Sequence, residues 1–152
     1  MIDPVALTRS LVDIDSTTGR EGEAGAWLAA FLRERGYDVS EQPVSPGRFN
    51  VFARLERDPV VVFSTHVDCV PPFFASREEG GIVFGRGACD AKGILAAQIA
   101  AAEGLRQKSE TRIGLLFVVG EERGSDGARA AVPHIPRSRS SVNRRLTSCS
   151  MR

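Results

Sequence analysis

No apolar stretch of this 152-residue sequence approaches the roughly 20 residues that a membrane-spanning helix requires. Cysteine is scarce: Cys69, Cys89 and Cys149 are too few and too far apart for a disulfide framework, which suits a reducing compartment. Neither sign of charge is in excess; the formal net charge of +1 does not point to nucleic acid or to a membrane surface. The first residues, Met1 to Leu11, include Asp3 and Pro4 and lack the basic-then-apolar layout of a secretory signal. The expectation is therefore a cytoplasmic protein with no nucleic-acid or membrane partner. What remains is ordinary globular material, 42% hydrophobic and 26% charged, long enough for one core.

Hydrophobic periodicity divides the chain into alternating elements. Asp3 to Val12 and Glu21 to Arg35 read as helices, the first with Asp3 as N-cap, the second stopped by Gly36 and carrying Trp27 and Phe31 towards the core. Short strands are expected at Tyr37 to Glu41 and Asn50 to Leu55, separated by a break at Pro43, Pro46 and Gly47. Pro59 to Thr65 and Ile113 to Val119 are apolar runs of the kind buried on both faces of a sheet. Ile82 to Phe84 is a small strand, Lys92 to Leu105 an alanine-rich helix, and Ser125 to Ala131 the start of another. This alternation argues for an α/β sandwich with a mixed, largely parallel sheet. From Arg137 the composition changes to five arginines, five serines and no acid, so 137–152 reads as a basic, disordered tail beyond a domain spanning 1–136.

Three clusters sit at the ends of strand-like runs, where open α/β sheets gather ligands. The first is Ser64-Thr-His-Val-Asp-Cys-Val-Pro-Pro. His66 and Asp68, two apart, project to the same side of an extended backbone, and a carboxylate behind a histidine is the usual support of a metal-binding imidazole. A surface pair would look the same. The second is Gly85-Arg-Gly-Ala-Cys-Asp-Ala-Lys-Gly. Asp90 stands where a dinucleotide-binding loop needs glycine, and it would repel a phosphate; it suits a carboxylate that bridges two cations. The third is Val118-Val-Gly-Glu-Glu-Arg-Gly-Ser. Adjacent Glu121 and Glu122 fit either a solvated turn or a cation site in which one ligates and the other acts on water. Histidine with carboxylates suits zinc, with cobalt or manganese as alternatives.

Together, in order and spacing, Thr65-His-Val-Asp-Cys-Val-Pro-Pro, Gly85-Arg-Gly-Ala-Cys-Asp-Ala-Lys-Gly and Gly120-Glu-Glu-Arg-Gly-Ser-Asp-Gly-Ala resemble the M20 metallopeptidases and deacylases, over residues 3 to 135. That family includes acetylornithine deacetylase, succinyl-diaminopimelate desuccinylase, aminoacylase and glutamate carboxypeptidase. The resemblance implies a partial zinc-exopeptidase-like α/β/α sandwich. It implies two zinc ions per complete site, with His66 and Glu122 each on one ion and Asp90 bridging both. It makes Asp68 the carboxylate behind His66 and Glu121 the general base of amide hydrolysis. It also implies a cis peptide after Asp90. The implied substrates are N-acyl amino acids or small peptides, and complete relatives are often homodimers.

The sequence departs from the family pattern after Glu122. The family carries a further acidic ligand downstream, a histidine near the C-terminus and an inserted lid domain. Here the only later acid is Asp126, close to Glu122, and the only other histidine is His134, which reads as a loop residue. Each ion would lack one ligand, so the expectation is an N-terminal fragment of the catalytic domain with impaired activity and an exposed, aggregation-prone sheet edge. The alternative is a non-catalytic metal-binding or interaction remnant of the same fold. A dinuclear phosphohydrolase is disfavoured by the lack of a phosphate-binding loop. Cys69 and Cys89 flank the site without joining it, Arg86 packs or pairs with a carboxylate, and Lys92 caps or buttresses the Asp90 turn.

Overall fold

The computed structural model describes residues 2–131. His134 and the Arg/Ser-rich stretch 137–152 lie outside them. Helix α1 (Pro4–Val12) opens as its sequence demands: the Asp3 carboxylate accepts from Val5 N at 2.9 Å and Ala6 N at 3.3 Å, satisfying two amides that lack helical partners. Helix α2 (Gly22–Arg33) buries Ala24, Leu28, Ala29 and Leu32. Trp27 and Phe31, expected in the core, sit at its rim instead. Their rings stack at 5.1 Å, and the Arg35 guanidinium covers Phe31 at 3.4 Å. Large rings one turn apart on the flank of α2 pack against each other once the smaller residues have filled the centre.

The main sheet has the order β1-β2-β6-β3, with β1 (Asp38–Ser45), β2 (Arg48–Arg54), β3 (Val61–His66) and β6 (Ile113–Val118). It is mixed, as expected, but the parallel share is one pairing: β3 runs parallel to β6, whereas β1–β2 and β2–β6 are antiparallel. The cause is local. Pro46 and Gly47, the latter at φ +72°, return the chain immediately, and a connection that short joins only antiparallel strands. Strand β1 also runs through Pro43 to Ser45, past the expected break, because an edge strand tolerates a missing donor and a register shift there.

Strand β6 is buried along its whole length. Leu115 and Phe117 face the core under α1, α2 and α3 (Lys92–Arg106), while Leu116 and Val118 join Phe52 and Ala131 of α4 (Asp126–Ala131) on the opposite side. This is the period-two alternation of a strand covered on both faces. Strand β3 opens on a similar apolar run but lies at the edge of the described sheet, so the expectation of full burial fails: Val61, and Val60 just before the strand, are 48% and 62% exposed. A separate hairpin, β4 (Arg77–Glu79) with β5 (Ile82–Phe84), turns on Gly80 and Gly81, both at positive φ. Two consecutive glycines are the residues such a two-residue turn favours. The charged strand β4 has no apolar signal and is invisible to periodicity. No helix among the described residues is long and apolar enough to cross a membrane.

Candidate metal centre

Parallel pairing of β3 with β6 brings two strand ends to one side of the sheet. His66 is opposite Val118, and Val67 N donates to Val118 O at 2.9 Å, extending the ladder by one bond. Beyond β6 the chain turns at Gly120 (φ +71°) into a 3-10 turn, Glu121–Arg123, closed by Gly124 at φ +100°. The strand-to-helix loop before α3 supplies Asp90, and its peptide to Ala91 is cis, as the family resemblance implies.

These elements converge. One donor atom each from His66, Asp90 and Glu122 lies within 4.8 Å of the other two. His66 Nε2 is 3.0 Å from Asp90 Oδ1 and 3.9 Å from Glu121 Oε2. The cluster stands on an open surface, with the Asp90 and Glu121 side chains 71% and 51% exposed. Beneath it, Asp68 is wholly buried. Its carboxylate accepts from Thr18 Oγ1 at 2.9 Å, Glu121 N at 3.0 Å and Glu122 N at 3.1 Å. One carboxylate therefore ties the Thr18 loop, β3 and the Glu-Glu turn together. Burial pushes the Asp68 carboxyl up, but the hydrogen bonds from His66, Thr18 and the two amides outweigh it and hold the group below the usual carboxylate range.

The imidazole is oriented by the same residue. His66 Nδ1 lies 2.9 Å from the main-chain oxygen of Asp68, an atom that only accepts. Nδ1 therefore carries the proton, and Nε2 is the nitrogen turned towards Asp90. Hydrogen bonding to Asp68, with Asp90 adding to it, raises His66 to about 9 against the opposing effect of burial. The donor set fits divalent cations: an oriented imidazole nitrogen and two carboxylates converge, and a cation would relieve the crowding of Asp90, Glu121 and Glu122.

The remaining sequence expectations separate. Lys92 does buttress the Asp90 loop. It is fully buried, its stem passes under Gly87, its amide donates to Gly87 O at 2.9 Å, and its Nζ donates to Ile14 O at 2.8 Å. Arg86 packs and, among the described residues, pairs with no carboxylate: its guanidinium covers Phe74 at 4.9 Å, and Nε donates to Pro72 O at 3.0 Å. Neither Cys69, buried against Ser16, nor exposed Cys89 joins the donor cluster. Asp126 is turned away, towards Arg48 at 3.4 Å. Sequence reasoning missed Thr18, taken as part of a polar connector. In the fold, Thr18 N donates to Cys69 O and Cys69 N to Ser16 O, both at 3.1 Å. The run Asp15-Ser-Thr-Thr-Gly carried a signal in its hydroxyls, but nothing in it named Asp68 as the partner.

Comparison with known proteins identifies the family. Residues 62–145 match the family model described as peptidase family M20/M25/M40. A probable carboxypeptidase of Aspergillus fumigatus is 40% identical over 147 residues, covering 80% of this chain and 33% of the relative. The chain thus spans about a third of the length of the curated relatives it matches. Human carnosine dipeptidase 1 superposes with a TM-score of 0.71 at 23% identity, covering 86% of this chain and 34% of that one. A Bacillus subtilis protein described as a dinuclear metal-binding peptidase of the M20 family does so with 0.62 at 18%, covering 86% and 38%. The three motifs, the converging His66, Asp90 and Glu122, and a family match over more than half the chain lead to one conclusion: this protein belongs to peptidase family M20/M25/M40.

Proposed function

We propose that the chain carries the first half of a two-metal centre for peptide-bond hydrolysis. The observation that carries this reading is the convergence of His66 and Glu122, with Glu121 beside them, from the ends of two parallel strands onto Asp90 from the loop before α3. His66 and Glu122 would each hold one ion and Asp90 would bridge. Zinc is the metal that this donor chemistry suits best, with cobalt or manganese as substitutes. Bound divalent ions supply Lewis acidity and lower the pKa of water.

The residues of the chain do the rest. Asp68 fixes the His66 tautomer and anchors the amides of Glu121 and Glu122. Glu121, half exposed, is the general base: its carboxylate takes the proton of the attacking water and returns it to the departing amine. The substrate reading is a small peptide with a free carboxylate. It is supported by the relatives described as probable carboxypeptidases and by the dipeptidase neighbour. N-acyl amino acids, as for a deacetylase or desuccinylase, are the finer alternative.

A second reading, a metal-binding chain without turnover, draws support from the openness of one side of the cluster, where Asp90 is exposed and Glu122 half-buried over a buried His66. Zinc titration by calorimetry, with Asp90→Ala beside the native chain, tests both readings, together with turnover of dipeptides and N-acetyl amino acids. Binding that is lost in the variant, accompanied by peptide turnover, supports the enzyme. Binding without turnover supports the second reading. No binding removes both.

A further inference from the structure

Strand β2 contributes nothing to the donor cluster, yet its Asn50 is fully buried and makes two hydrogen bonds to a single loop. Its Nδ2 donates to Gly127 O at 2.8 Å, and its Oδ1 accepts from Val119 N at 3.1 Å. The orientation of the amide is unambiguous, because Val119 N only donates and Gly127 O only accepts. Val119, just after β6, and Gly127, in the first turn of α4, flank the loop whose crest bears Glu121 and Glu122. A direct bond, Gly127 N to Val119 O at 2.9 Å, closes the same neck.

Two other residues are built around this contact. A Cβ on Gly127 would collide with Asn50 Oδ1 and Val119 O and lie 2.6 Å from Val119 N, so the last glycine of the third motif is there for close approach. Arg48, two residues before Asn50 and on the same face of β2, forms a two-pronged pair with buried Glu21 at 2.8 Å and reaches Asp126 at 3.4 Å. Its guanidinium also packs where a Cβ on Gly120 would stand, 2.7 Å away. Asp68 holds the crest of the turn and β2 holds its neck.

We propose that Asn50 is a positioning residue of the metal centre, fixing Glu121 and Glu122 against His66 and Asp90, with Arg48 as its support. The inference rests on the two-metal reading above. A carboxylate cannot replace the amide without losing the donor, and a hydroxyl is too short to span both ends of the neck.

The test uses the full chain with Asn50→Ala, Gly127→Ala, the milder Arg48→Lys, and Val51→Ala as a core control from the same strand. Amide hydrogen exchange is followed without metal, and zinc affinity is measured by calorimetry at a temperature where each variant is folded. The expected result is faster exchange of the Glu121 and Glu122 amides, relative to β6, in the Asn50 and Gly127 variants. Zinc affinity should fall in both by roughly 10–100-fold, the range for residues behind metal ligands. Val51→Ala should loosen the whole sheet evenly and leave affinity unchanged. If Asn50→Ala does not fold, Gly127→Ala and Arg48→Lys give the same readouts. Equal affinity losses in the Asn50 and Val51 variants, or unchanged turn amides, would overturn the proposal. A native chain that binds no zinc, with the turn selectively freed by Asn50→Ala, would defeat the two-metal reading and leave the anchoring role standing.

Discussion

Asp68 grips His66 twice: its main-chain oxygen lies 2.9 Å from Nδ1 and its carboxylate 3.4 Å from the same nitrogen. The metal-free ring is raised to about 9, foremost by that partnership. A histidine whose pKa rises on folding contributes stability that is complete below its unfolded value of about 6.5 and disappears as pH climbs through the folded value. The metal-free chain should therefore lose stability between pH 6.5 and about 9. Asp68→Asn should bring the ring back towards its ordinary value, read from the His66 ring resonances in an NMR titration. An unchanged pKa in that variant would show that the carboxylate is not the cause.

At neutral pH the same ring must give up its proton when a cation takes Nε2. Zinc binding near pH 7 should release protons, so the binding enthalpy should vary with the ionisation enthalpy of the buffer. A binding enthalpy that is identical in all buffers would exclude His66 as a ligand.

Asp90 and Asp68 should separate binding from stability. The Asp90 side chain is 71% exposed, so Asp90→Ala should cost at most about 1 kcal/mol of stability, from its lost pair with His66, while abolishing metal binding. Asp68 is buried, and Asp68→Ala strands two amides and a hydroxyl; each unsatisfied group costs about 1–3 kcal/mol. Thermal denaturation of both variants beside calorimetry checks this. Equal losses of stability would mean that the two carboxylates are not divided into a surface ligand and a buried anchor.

Two glycines of helix α3 should respond in opposite directions to alanine. A Cβ on Gly93 would strike Ala88 O in the loop that carries Asp90, so Gly93→Ala should cost about 1–3 kcal/mol and weaken metal binding. Among the described residues no neighbour outside the helix backbone lies within 4 Å of a Cβ on Gly104, and Gly104→Ala should stabilise the helix by about 0.5–1 kcal/mol. Melting temperatures of the two variants decide the matter, and shifts of the same sign would refute the packing argument.

Among the described residues, strand β3 is a sheet edge, with Val61 and the preceding Val60 exposed. Val61→Lys places a charge where another strand would pair and should reduce self-association, with stability unchanged within about 0.5 kcal/mol. Light scattering against concentration measures it. Undiminished association would place the contact elsewhere.

Much of the fold was legible because local chemistry dictated it. Asp3 and Pro4 announce α1, and the apolar run 113–119 announces a buried strand. The candidate ligands His66, Asp90 and Glu122, and the candidate base Glu121, could be picked out because each lies at the end of, just after or just before a strongly patterned element. Periodicity reports which face of an element is apolar but not which strands become neighbours. Thus Val60 to Phe63 reads like the run in β6, yet one became an edge and the other the centre.

By itself, then, the sequence determined the elements, the order of the three motifs and the residue types offered to a cation, because these depend on backbone preferences and on chemistry carried within a few positions. Only the tertiary structure decided that Thr18, Asp68 and the Glu121–Glu122 amides share one carboxylate, and that Asn50 closes the loop between Val119 and Gly127. Those contacts join residues roughly 50 to 80 positions apart, and a hydrogen bond over that separation has no local signature. Its partners meet only when parallel pairing of β3 with β6, and antiparallel pairing of β6 with β2, bring them together.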